Sequence, residues 1–152
     1  MTDDILFLGR AIERLSVLIA EQSEEVFGNM GIVIPVRSCS LIQVLAELKM
    51  ATASDLAREL GQSHQLIMQK IPKLLRLGLI AFQPDKDDAR KKIYYLTADG
   101  AEQLAKFEQC GAEIRRAYEH LFAEVGDVHA VVARTTNALN NKAIGQRIKS
   151  VR

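Results

Sequence analysis

The sequence predicts a mainly α-helical chain with a small β-wing, a winged helix-turn-helix flanked by N- and C-terminal dimerisation helices. Three observations predict it. Two short helical patterns meet at Gly61, with capping residues on either side. Two β-like runs follow, joined by a turn dense in charge. Before and after this block lie long amphipathic stretches that carry more apolar stripe than one small domain needs. The expected organisation is an N-terminal dimerisation helix in 1–30, a winged helix-turn-helix in 31–100, and C-terminal dimerisation helices with a basic tail in 101–152.

Residues 3–27 read as one helix. Ile5, Leu8, Ile12, Leu15 and Ile19 recur at spacings of three and four, and Val26 and Phe27 continue the apolar content. At the rise of an α-helix this is a rod of roughly 35 Å. The run Phe27-Gly28-Asn29-Met30-Gly31 ends it, and Ile32 to Pro35 form an extended link. The next helix spans 36–48, with Leu41, Ile42, Leu45 and Leu48 expected inside. Lys49 to Ala51 lead on to the helical pair.

Thr52 is a good N-cap, and Asp55 three residues later completes a capping box. Leu56, Ala57 and Leu60 keep helical spacing, and Gly61 suits the positive φ that ends such a helix. Ser63 caps the second helix, over 63–77. There Ile67, Ile71, Leu74 and Leu75 share one face, while His64, Gln65, Met68 and Gln69 fall largely on the other. Gly78 closes it. A strand at Ile80–Phe82 and a partner at Ile93–Leu96 form the ribbon, with residues 83–92 as the wing. Thr97 caps a long helix running to about Val125. Leu104, Phe107, Gly111, Ile114, Tyr118, Leu121 and Val125 make a heptad seam in it. Gly111 weakens the helix, which points to a close backbone approach there. Asp127 caps a last helix, Val128 to about Asn140, with Val128, Val132 and Leu139 on its apolar side. The tail holds Lys142, Arg147, Lys149 and Arg152, and partial mobility is expected of it.

Asp88-Ala89-Arg90, followed by Leu96-Thr97-Ala98-Asp99-Gly100, resembles the D-x-R wing motif and the L-T-x-x-G of the MarR family of bacterial transcription regulators. The run DLARELGQS resembles that family's helix-turn-helix, and LLRLGLI its recognition-helix exit. The likeness is specific across 52–100 and agrees in layout over nearly the whole chain. It implies that Arg90 enters a minor groove and that Asp88 holds it in place. It also implies a symmetric dimer, a pseudo-palindromic site, repression, and response to a small phenolic or other apolar effector. By placement the candidate effector cleft is walled by Phe27, Arg37, Ser38, Cys39, Cys110 and Tyr118. Some relatives sense oxidants through a cysteine near the start of the first helix, and this chain has none there.

The net charge is only +1, so total charge does not declare a nucleic-acid partner. Its distribution says more: residues 63–92 hold seven Lys or Arg against three Asp, and residues 1–30 hold six acids against two bases. Local positive charge over a neutral total fits one DNA-facing surface, and equally an ordinary mixed one. Two cysteines far apart are not a disulfide framework. No apolar run approaches a membrane span, and the start, with Asp3 and Asp4, is no signal peptide, so a cytoplasmic protein is expected.

The candidate DNA contacts are Ser63, His64, Gln65, Met68, Gln69 and Lys73 on the helix, and Lys86, Arg90, Lys91 and Lys92 in the wing. Gln pairs with adenine in bidentate fashion, and Gln65 and Gln69 share a face. Met68 and Leu66 reach thymine methyls or simply pack. Lys70 and Lys73 suit phosphates or solvent better than bases. The blander reading of all these is a solvated polar face. Pro72 departs from pattern: inside a regular helix it costs about 3 kcal/mol and clashes with the Met68 carbonyl. The helix therefore kinks there, or starts or ends elsewhere. Cys39, near a helix start, is either a thiol of lowered pKa or a buried apolar one.

His120 and His129 are too sparse for a metal site, and no G-x-S-x-G, P-loop or G-x-G-x-x-G occurs. Glu24-Glu25 and Asp87-Asp88 sit in solvated charge runs. No enzyme, cofactor or metal is therefore expected. The expected partners are double-stranded DNA and a second copy of the chain. A winged-helix protein-interaction module without DNA binding is the other reading, since fold alone does not fix function.

Overall fold

The computed structural model describes residues 4–151. Asp3, expected to open the first helix, and Arg152, expected in the basic tail, lie outside the described residues. A 3-10 turn at Ile5–Phe7 leads into α1, Leu8–Asn29. The first helix thus starts later than its apolar spacing implies. Asp4 is extended, and its carboxylate accepts a hydrogen bond from the Leu6 N–H at 3.0 Å, holding that tighter turn. Gly31, at φ +70°, ends the helix where expected. In the link that follows, Ile32 and Ile34 point into the core. Between them the Val33 N–H donates to the Gln103 side chain at 2.8 Å.

A second 3-10 turn, Val36–Ser38, precedes α2, Cys39–Leu48. Leu41, Ile42 and Leu45 are fully buried. Leu48, expected beside them, is 40% exposed, because the helix stops at it and Lys49 turns the chain at φ 65° and ψ −45°. Ala51 is more than a link. It exchanges two backbone hydrogen bonds with Tyr94, at 3.0 and 2.8 Å, and so adds a one-residue third strand to the wing.

The helical pair is α3, Ala53–Leu60, and α4, His64–Arg76. The capping box is present: Thr52 Oγ1 accepts from the Asp55 N–H at 3.1 Å, and Asp55 returns a bond to the Thr52 N–H at 3.0 Å. Gly61 adopts the left-handed conformation, and Ser63 Oγ accepts from the Leu66 N–H at 3.2 Å. Helix α4 runs unbroken through Pro72, neither starting nor ending there. Ile67, Ile71 and Leu74 bury one face of it, while Leu75 is only half-buried. Burying one such side chain is worth about 1.5–3 kcal/mol, so three of them outweigh the cost of one proline.

Strands β1, Ile80–Pro84, and β2, Lys92–Leu96, pair antiparallel from Ile80 with Leu96 to Pro84 with Lys92. Both strands run further than their apolar runs, so the loop is shorter than expected. Long α5, Ala98–Val125, follows. Thr97 ties its start: the hydroxyl donates to the Gly78 carbonyl and accepts from the Gly100 N–H, and the Thr97 N–H donates to the Leu79 carbonyl. Gly100 is needed here, since a Cβ on it would lie 2.0 Å from the Leu79 oxygen. At Gly111, where a close approach was expected, a Cβ would meet only the Arg115 guanidinium, at 3.6 Å.

Packing divides the chain into two compact units, one ending at Cys110 and the other beginning at Gly111. The first holds the core, centred on Leu41, Ile42, Leu45, Leu56, Ile67, Leu74 and Leu79. The second contains the end of α5, then α6, Val128–Asn141, and α7, Ile144–Ser150. Asp127 caps α6 through the Ala130 N–H at 2.9 Å. Within the basic tail, Ile144–Ser150 form α7. Arg147 holds it there by donating to the Ala138 carbonyl at 2.7 Å and the Lys142 carbonyl at 3.0 Å. No described residue of this unit is buried. Among the described residues, no helix is long and apolar enough to cross a membrane.

Candidate nucleic-acid interface

The start of α3, the first turns of α4 and the wing enclose an open groove of about 550 Å³. Thr52, Ala53, Ser54 and Asp55 form one wall. His64 and Met68 come from α4, and Asp85, Arg90, Lys91, Lys92 and Tyr94 from the wing. The capping box occupies the amides of Thr52 and Asp55. The amides of Ala53 and Ser54 have no partner among the described residues, which leaves helix-terminal donors open at the groove. Asp55 also pairs with Arg58 at 2.7 Å. The Thr52 amide, the Thr52 hydroxyl and Arg58 hold the Asp55 carboxyl below its ordinary value of 3.8 despite some burial. Burial raises the Tyr94 phenol above its usual range.

The wing tip is tied by its own aspartates. Asp85 Oδ1 accepts from the Asp87 N–H at 2.9 Å, and the Asp85 N–H donates to the Lys91 carbonyl at 2.9 Å. Asp88 Oδ1 accepts from the Arg90 N–H at 3.1 Å and from Arg90 Nε at 3.2 Å. Two bonds to one oxygen fix the direction of the Arg90 side chain while leaving it 92% exposed. The guanidinium edge away from Asp88 is presented to whatever approaches the wing.

Of the residues singled out in the sequence, His64, Met68, Arg90, Lys91 and Lys92 meet in this groove. Gln65, Gln69 and Lys73 are exposed on α4 outside it, and Lys86 is exposed on the wing. The Ser63 side chain is committed to its cap. Thr52, Ala53, Ser54 and Asp55 went unread as groove residues. Their signal was present in the two hydroxyls flanking a helix start, but cap and ligand site share that signature. Lys70 is half-buried and donates to Gln62 Oε1 at 3.1 Å. Burial first, and then the charge of Arg37, lower its pKa. Arg37, expected in the effector cleft, thus acts on the charge of Lys70 in α4.

The other residues assigned to that cleft are distributed as follows. Phe27 is buried, its ring 5.7 Å from that of Phe107. Ser38 is buried and Cys110 half-buried. Tyr118 belongs to the unit that begins at Gly111, with its ring 6.0 Å from Phe122. Burial pushes the Cys39 thiol up to about 11, so the helix start does not make it a thiolate at neutral pH. Among the described residues, no group of three His, Cys, Asp or Glu is placed to hold a metal ion.

Capped helix, turn, recognition helix and two-stranded wing define a winged helix-turn-helix of the DNA-binding class. Residues 34–91 match the family model described as MarR family. This match likens residues 34–91 to the MarR family, and the fold is that of solved MarR structures. The reduced form of MarR from E. coli superposes with a TM-score of 0.60 at 17% identity, over 90% of this chain and 98% of that one. A cysteine-to-serine mutant of MarR from E. coli, complexed with operator DNA, gives 0.59 at 14% identity, over 91% and 98%. The YusO protein from Bacillus subtilis gives 0.56 at 16%, over 88% and 99%. No curated protein shows significant sequence similarity to this chain.

Proposed function

We propose that this chain is a homodimeric, sequence-specific DNA-binding repressor that answers to a small apolar or phenolic effector. The groove carries the reading: it joins His64 and Met68 of the recognition helix to Arg90, Lys91 and Lys92 of the wing. In this reading α4 enters a major groove, where His64, Gln65, Met68 and Gln69 meet base edges and methyls. Ser63 and Lys73 lie at the phosphates that flank it. Arg90, directed by Asp88, reaches the minor groove, and Lys86, Lys91 and Lys92 take the backbone. The operator complex formed by the E. coli relative supports the same partner.

The dimer is supported by apolar surface that none of the described residues covers. Leu8, Ile12, Leu15 and Leu18 of α1 are each at least 40% exposed, as are Leu139, Ile144 and Ile148 further on. Exposed apolar stripes of this kind are what association between copies would cover. Two copies related by a two-fold axis present two recognition helices to half-sites about one DNA turn apart. An effector acts by binding one spacing of those helices more tightly than the other.

The test is binding of the purified chain to mixed genomic duplexes across a salt series. The expected result is affinity that falls steeply with salt and enrichment of particular fragments. Arg90→Ala is expected to weaken binding to the enriched fragments. Unchanged affinity sinks the wing assignment, and salt-dependent binding without enrichment sinks sequence specificity.

A further inference from the structure

Phe82 is a large aromatic side chain left 43% exposed on the wing. Along β1 it lies on the same face as buried Ile80, opposite Tyr94 in register. Its ring meets the Tyr94 ring edge-on at 6.1 Å. Tyr94 is buried at this point, while the Phe82 ring beyond it stays partly open. One group uses it: the Lys92 ammonium sits over the ring, 4.4 Å from its centroid. Lys92 pairs with Pro84, one step out on the same face, and lines the groove beside Arg90, Lys91 and Tyr94.

We propose that Phe82 is a positioning residue that holds the Lys92 ammonium at the groove wall for a DNA phosphate, an inference that rests on the DNA-binding reading above. A free lysine spreads its charge over many rotamers and must be ordered when it binds. The negative face of an aromatic ring attracts the cation and orders it in advance. A phosphate then meets a charge already in place, while the outer side of the ammonium stays open to it. Among the described residues no carboxylate does this for Lys92, and Asp88 is occupied with Arg90.

The test uses the full chain, a genomic duplex that it retains, and fluorescence anisotropy at two salt concentrations. Phe82→Leu is expected to weaken binding about 2- to 5-fold, the range of an exposed cation–π contact. Phe82→Trp, which keeps a ring, is expected to restore it. Lys92→Gln should weaken binding and lower the salt slope by about one. In the Lys92→Gln background, Phe82→Leu should cost nothing more. Equal losses from Phe82→Leu in both backgrounds, or none in either, overturn the proposal. NMR of the free chain gives a second readout. The Lys92 ε-methylene protons are expected to be ring-shifted in the native chain and in Phe82→Trp, but not in Phe82→Leu. Unshifted protons in the native chain overturn it too. A native chain that binds no duplex at low salt overturns the DNA-binding reading and this inference together, whereas native binding with uncoupled variants overturns this inference alone.

Discussion

The stretch from Ile32 to Leu104 and the stretch from Gly111 to Val151 are both mostly helical and both well capped, yet they are held by different means. The first buries Leu41, Ile42, Leu45, Leu56, Ile67, Leu74 and Leu79 almost completely. The second buries no residue at all among those described and exposes Val131, Val132, Leu139, Ile144 and Ile148. The helices of the first stretch are paid for by one another's apolar faces. Those of the second rest on caps, such as Asp127 and Arg147, on partly buried contacts such as Tyr118 with Phe122, and on helix propensity, which seldom sustain short helices in water. Regular local structure is therefore no sign that a surface is finished.

The difference is open to direct attack. Leu74→Ala empties a fully buried site in the first stretch and is expected to cost about 2–5 kcal/mol in a denaturant melt. A loss under 1 kcal/mol, on the order of a surface substitution, would mean that this core is not what holds the wing. Gly100→Ala forces a methyl against the Leu79 carbonyl and should destabilise by about 1–3 kcal/mol, whereas Gly111→Ala, whose methyl would make only ordinary contact with the Arg115 guanidinium, should be neutral or mildly stabilising.

Thr52→Ala removes half the capping box and is expected to cost about 1 kcal/mol. The same box has a pH signature. The folded-state pKa of Asp55 is depressed, so its contribution is whole above the ordinary value of 3.8 and fades as pH falls through the lower folded value. Asp55→Asn should remove that acid-limb dependence from the melting profile. Lys49→Gly relieves a positive φ and should stabilise by about 1 kcal/mol, read as a rise in melting temperature. Smallest of all, Leu139→Ala should shift the stability of the isolated chain by no more than about 0.5 kcal/mol. Any larger loss must depend on protein concentration in melts at two dilutions, because it then belongs to an interface between copies.

Sequence reading succeeded wherever a signal was local. Thr52, Asp55, Gly61, Ser63 and Asp127 each announce a helix end through a bond to a near neighbour, and each makes that bond or takes that conformation. It failed where a distant contact decided. Leu48 kept perfect spacing but fell at the last position of its helix, where Lys49 redirects the chain. Ala51 pairs with Tyr94 across 43 residues, and a one-residue strand has no periodicity to read. Pro72 was a real breaker signal, outweighed by the burial of Ile67, Ile71 and Leu74. The wing was legible as a charged loop, but the double grip of Asp88 on Arg90 comes from the residue types, the turn and their close spacing together. The groove wall at Thr52 to Asp55 was hidden because its residues already had a structural reason to be there.

The knot at Thr97 has a mechanical meaning. Its hydroxyl and amide grip the carbonyls of Gly78 and Leu79, and Gly100 lets the first turn of α5 rest on that same Leu79 oxygen. Those carbonyls belong to the exit of α4. The root of the long helix and the heel of the recognition helix are thus clamped like two shafts on one key. A twist applied to the first turn of α5 is delivered to α4 without slack, and the wing, which springs from the same clamp at Ile80 and Leu96, turns with it.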